Sequence, residues 1–121
     1  ILQPDVLYCG GFLEMRKIAA LAEARYVTIA PHNPLGLLST ALSVHLAACI
    51  PNFSILEFHS EHLRPKAKFV DEAWAPVNGY FDLPDKPGIG MELNLDEIRN
   101  NPTRHWNRGF PIHEDGSPAF S

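Results

Sequence analysis

Three side chains that can hold or move a proton stand at the ends of short apolar runs. Asp5 closes "ILQPD", His32 follows "YVTIAP", and Glu57 sits in "FSILEF". A carboxylate beside an imidazole fixes the ring's tautomer and strengthens it as a base, so Asp5 and His32 are a candidate general-base dyad. Taken singly, each also reads as an ordinary turn or loop residue. Glu57 lies in a very apolar stretch, where a carboxyl group is costly unless it is paired or protonated. Two readings stay open for it: a partner of an arginine from elsewhere, or a protonated or hydrogen-bonding carboxyl that meets a developing oxyanion.

The remaining polar and aromatic candidates read more plainly. His59 and His62 in "HSEH" have helical spacing and could share a metal, but no third or fourth ligand accompanies them, so a solvated loop is favoured. His45 falls on a predicted helix as a packing residue. His105 and His113 fall in the tail as hydrogen-bonding residues. Trp74 and Trp106 read as packing anchors, because nothing basic interleaves with them. Cys9 and Cys49 share no ligand-type spacing and read as reduced thiols.

The elements that must position the trio follow from periodicity. "ILQPDVLY" (1–8) is β-rich and ends at "CGG". "FLEMRKIAALAEAR" (12–25) is an amphipathic helix with Leu13, Ile18, Leu21 and Ala22 on its apolar side and Met15, Ala19 and Ala20 nearby. "YVTIAP" (26–31) is a short strand, "LLSTALSVHLAACI" (37–50) a second helix, and "FSILEF" (53–58) a third strand. Alternating short apolar strands and helices imply α/β architecture with parallel strands and right-handed crossovers. A repeat of about 25 residues suits a barrel or a doubly wound sheet. No glycine-rich phosphate loop follows any strand, which argues against a nucleotide fold. In a barrel, catalytic groups lie at the C-terminal strand ends, where Asp5, His32 and Glu57 all fall. Val6, Ile29 or its neighbours, and Ile55 are then expected on the inner barrel face.

The second half changes character. Residues 59–76 are polar and irregular, "APVNGYFDL" (75–83) reads as a hairpin or bent strand with an Asn-Gly turn, "MELN" (91–94) as a short strand and "LDEIRNN" (95–101) as a brief helix. The tail from 101 has aromatics without a period and is expected to pack on another part of the molecule.

Composition sets outer bounds. The 121 residues are 45% hydrophobic and 20% charged, as in a globular domain. A net charge of −4 gives no footprint for nucleic acid or an anionic membrane. No apolar run approaches the roughly 20 residues that span a bilayer, and no signal peptide is visible, so the expected location is cytoplasmic. The opening "ILQPD" carries no initiating methionine and begins inside a strand, so a piece of a larger protein is expected.

Taken in order, "QPDVLYCGG", "RKIAALAEA", "APHNPLG", "PNFSILE" and "KPGIG" resemble the C-terminal part of the enolase superfamily, in particular the galactonate-type dehydratases of its mandelate racemase subgroup. The resemblance runs over about residues 2–100 and is specific as an ordered set. It implies a (β/α)₇β barrel with a capping α+β domain, of which residues 1–58 would be strands six to eight. Residues 59–121 would be the irregular segment that returns to the cap. It also implies roles: Asp5 as the sixth-strand partner of the dyad, His32 as the seventh-strand base that takes the proton α to a carboxylate, and Glu57 as the eighth-strand group that hydrogen-bonds the enolate oxygen.

The same resemblance implies a small sugar-acid substrate, a homo-oligomeric parent, and Mg²⁺ held by three carboxylates on strands three to five. Those ligands, and a third-strand histidine that assists loss of the β-hydroxyl, are not in this sequence, so the isolated chain is expected to be inactive. Tyr8 replaces a frequent histidine before "CGG", and Phe120-Ser121 replaces a frequent terminal tryptophan. Two alternatives remain: a non-catalytic remnant or interaction module, and a racemase or epimerase of the same superfamily.

Overall fold

The computed structural model describes residues 1–60, 66–103 and 112–117. Two helices pack over three parallel extended segments. Helix α1 spans Phe12–Glu23 and helix α2 spans Leu37–Cys49. A 3₁₀ turn follows at Lys66–Phe69, and a short helix α3 at Leu95–Asn100 is capped by the Asn94 side chain accepting from the Glu97 N–H.

The parallel order is read from two bridges, Leu2 to Ile29 and Ile29 to Phe53, which place the 27–31 segment in the middle. Backbone bonds hold the register: Leu2 N–H to Thr28 O and Ala30 N–H to Leu2 O, both 2.9 Å, then Ile29 N–H to Asn52 O at 2.8 Å and Ser54 N–H to Ile29 O at 2.9 Å. Pairing stays confined to isolated bridges, shorter than the strands expected from the sequence. Pro4 and Pro31 have no N–H to donate, so the ladder is interrupted where it would continue. The first segment also ends early, at Asp5, because Val6–Gly10 turn away: the Asp5 carbonyl accepts the N–H groups of Tyr8 and Cys9. Tyr26 is not a strand residue. It adopts φ 57° just after α1, with its N–H bonded to Glu23 O, and is 99% exposed. A left-handed residue there closes the helix and reverses the chain.

The core has two parts that meet at α2. In the first, Val6, Ile29 and Ile50 pack with Met15, Ala19 and Ala22 of α1 and Leu46 of α2. The α1 stripe therefore runs through Met15, Ala19 and Ala22, while Leu13 and Leu21, expected on the apolar side, are exposed. In the second, Leu37 and Ala41 pack with Val70 and Met91, backed by Trp74 and Ile89. Contact on both sides buries Ser39, Thr40 and Ser43 as well, so α2 is buried over most of its surface. Val6 and Ile29 thus face the helices and not an inner barrel face, and Ile55 is 66% exposed. A residue alternates face along a strand, and the helix layer took this alternate set.

Asn52 ties these layers. Its amide donates to Ala19 O of α1 and to Val27 O of the central segment, each at 2.9 Å. The expected hairpin is present: Val77 and Tyr80 are bridged antiparallel around Asn78 and Gly79, both at positive φ as a primed turn requires. Phe81 meets Phe58 edge to face, with ring centroids 5.3 Å apart. Val70 pairs with Leu93, so "MELN" is bridged as expected. Cys9 and Cys49 are free thiols. His105, Trp106 and His62 lie outside the described residues.

Among the described residues neither outer segment of the parallel trio has a further strand beside it. Leu2, Phe53, Ile55, Tyr80 and Leu83 are left exposed. Each large apolar side chain left wet forgoes about 1.5–3 kcal/mol, against a total stability of about 5–15 kcal/mol for a domain. The 121-residue chain alone is therefore expected to associate or to unfold partly, as sedimentation and thermal melting would read. A sharp melt from a monodisperse monomer would overturn this.

Candidate active site

Asp5 ends the first extended segment, and its two carboxylate oxygens have different tasks. Oδ1 accepts the Leu7 N–H at 2.8 Å and so shapes the turn. Oδ2 lies 3.0 Å from His32 Nδ1. The Asp5 side chain is 5% exposed and that of His32 45% exposed. The imidazole is thus anchored from behind by a buried carboxylate and open in front. With Nδ1–H donated to Asp5, the ring's Nε2 carries the lone pair.

The backbone places His32 through its own N–H, which donates to Pro4 O at 3.1 Å, one residue before Asp5. Dyad partners on adjacent segments are therefore tied by both backbone and side chain. Beyond His32, the loop reaches α2 through Gly36, whose φ of 133° is open to glycine and strained for other residues.

Glu57 joins the cluster through Asn33. Its Oε2 accepts the Asn33 N–H at 2.8 Å, and its Oε1 lies 3.0 Å from His59 Nε2. The Asn33 N–H holds the Glu57 carboxyl below its ordinary value near 4.5, helped by the His59 bond; burial opposes these two, and the charges of His32 and His59 add smaller help. Glu57 is therefore an ionised acceptor here, not a protonated group, and its partner is a histidine in place of the arginine considered from the sequence. His45 is half-buried, as expected of a packing residue, and Trp74 packs on the second core.

Asn33 is the residue that sequence reasoning passed over. It is fully buried; its amide donates to Thr40 Oγ1 at 2.9 Å and to the Glu57 carbonyl at 3.0 Å. Thr40 in turn donates to Gly36 O at 3.2 Å. The one signal was indirect: a residue before proline is held extended, which keeps Asn33 in the strand direction. His59 was weighed only as a partner of His62, although an extended chain puts i and i+2 on one face and so pairs it with Glu57.

No group of three or more metal-ligating side chains exists among the described residues. The carboxylates of Asp5 and Glu57 already have both oxygens engaged.

The Enolase C-terminal domain-like family matches residues 1–98. This chain belongs to that family. It is 41% identical over 98 residues to a D-xylonate dehydratase of Haloferax volcanii, covering 81% of this chain and 24% of the relative. Among solved structures it is similar to an enolase of Agrobacterium radiobacter, a candidate galactarate dehydratase bound to Na and L-malate, with 39% identity and a TM-score of 0.84 over 98% of this chain and 34% of that one. A mandelate racemase/muconate lactonizing enzyme candidate from Burkholderia SAR-1 gives 35% identity and a TM-score of 0.77 over 98% of this chain and 31% of that one. The chain thus spans a quarter to a third of the length of these family members. Among the described residues no helix is long and apolar enough to cross a membrane.

Two outcomes follow from this geometry. Asn33→Ala leaves the Glu57 carbonyl and Thr40 without their buried donor, at a cost of about 1–3 kcal/mol, read as a lower unfolding midpoint in urea. Glu57 has a depressed folded pKa, so its stabilisation is present above the ordinary glutamate value and is lost as pH falls through the folded value. Midpoints of Glu57→Gln should therefore fall less steeply below about pH 4.5 than those of the unmodified protein.

Proposed function

We propose that the chain is the C-terminal barrel portion of a sugar-acid dehydratase, with His32 as the base that takes the proton α to the substrate carboxylate. The observation that carries this reading is the His32 ring, held at Nδ1 by buried Asp5 at 3.0 Å and open to solvent on its other side. The names of the relatives support the substrate class: xylonate and galactarate are both sugar acids. In such acids the hydrogen next to the carboxylate and a hydroxyl one carbon further can leave together as water. The product is a 2-keto-3-deoxy acid.

Asp5 fixes the Nδ1–H tautomer, so the Nε2 lone pair receives the proton. Asp5 also balances the imidazolium that forms. Glu57, gripped by Asn33 and His59, sits on the adjacent segment, where as an ionised acceptor it orients the sugar acid through one of its hydroxyl donors. A divalent metal, Mg²⁺ by family resemblance, supplies the main charge stabilisation of the enolate in such chemistry; its ligands lie on segments outside this chain. Residues 1–58 give the last strand–helix units of the barrel, and residues 59–121 lead back toward a capping domain. A galactonate-type acid is the substrate favoured by the ordered motifs.

The test is His32→Asn in the full-length protein that carries this segment, assayed on aldonic and aldaric acids with Mg²⁺. Asparagine keeps a donor toward Asp5 but cannot accept the proton. Turnover is expected to fall by at least about 10²-fold. Unchanged turnover would remove His32 from the role of base.

A further inference from the structure

We infer that His59, which no sequence motif or comparison assigns, is a positioning residue for Glu57, the eighth-strand carboxylate of the proposed dehydratase site. This inference rests on that reading of the site.

The geometry is the argument. A carboxylate that must meet one substrate oxygen needs its plane fixed, and one hydrogen bond leaves it free to rotate about χ3. Glu57 has two bonds from opposite sources. The Asn33 N–H holds Oε2 at 2.8 Å from the loop that carries His32. His59 Nε2 holds Oε1 at 3.0 Å from the same extended segment, two residues on. The backbone is pinned as well, because the Asn33 amide donates to the Glu57 carbonyl at 3.0 Å. With both carboxylate oxygens and the carbonyl held, the group is fixed in place and in orientation. His59 supplies the one grip that a side-chain substitution can release without touching the His32 loop.

The alternative is an ordinary surface pair. The two side chains are 45% and 31% exposed, His59 first. Pairs this wet contribute little to stability, since solvent screens them. That weakness separates the two readings: a surface pair predicts that removing His59 changes neither stability nor rate, whereas a positioning residue predicts a rate loss with stability kept. The charges of His32 and His59 both bear on the Glu57 carboxylate.

The experiment uses the full-length protein and compares His59→Phe, which has no donor, with His59→Gln, whose amide can donate from a similar reach. A misplacement of about 1 Å can cost up to 10²-fold in rate. His59→Phe is expected to lower kcat by about 10- to 100-fold, with little change in KM and in the unfolding midpoint. His59→Gln should recover most of that loss. In a Glu57→Gln background, His59→Phe should cost nothing further, because both act through one group. Full kcat in His59→Phe, no recovery in His59→Gln, or an equal loss in the Glu57→Gln background would each overturn the inference. These outcomes are distinct from failure of the dehydratase reading: that failure appears as retained turnover in His32→Asn, whatever His59 does.

Discussion

The buried amide of Asn33 is the contact on which the arrangement of the site depends. A primary amide out of water must satisfy its donors, or the site loses about 1–3 kcal/mol. Asn33 does so by reaching α2 through Thr40 and the third extended segment through the Glu57 carbonyl. Its own N–H then falls on the Glu57 carboxylate. One residue thus fixes the spacing between the loop after the central segment, the start of α2 and the segment beside it. His32, its neighbour in sequence, inherits that position, and Asp5 completes the registration from the other side. The His32 ring is not placed by its own packing, since it is half open to solvent. It is placed by what its two sequence neighbours, Pro31 and Asn33, are obliged to do.

Much of this was legible in the sequence, and the parts that were not have physical reasons. The alternation of strand and helix follows from apolar runs of two different periods, and both long helices lie within two residues of their expected ends. The Asn-Gly hairpin was legible because only a few residues tolerate positive φ at both turn positions. The meeting of Asp5 with His32 was legible from their matched places after apolar runs. Faces were harder. Ile29 and Val6 alternate with their neighbours, and nothing local says which set meets the helices; that depends on where α1 and α2 land. The apolar side of α1 was legible only in part for the same reason: Ala22 is buried with Met15 and Ala19, while Leu13 and Leu21 stay exposed.

The protonation of Glu57 shows a second limit. From sequence, a carboxyl among apolar residues suggests desolvation and a raised pKa. In the fold, backbone and imidazole donors outweigh burial, and the shift goes the other way. Apolar neighbours along the chain do not measure burial in space: alternate residues of "FSILEF" face opposite sides, and Ile55 is itself exposed. A donor contributed by a residue 24 positions away decides the charge state, and no local pattern encodes it.

The distribution of burial across the dyad carries a last consequence. Asp5 is enclosed and engaged at both oxygens: one oxygen shapes the turn and the other takes the imidazole. Glu57 is engaged likewise by Asn33 and His59. An oxygen that accepts one N–H keeps a second lone pair, so these bonds set the orientation of each carboxylate and leave it able to accept from a further group. This portion of the fold therefore offers an imidazole backed by a buried carboxylate and, on the adjacent segment, a second carboxylate held in a fixed orientation.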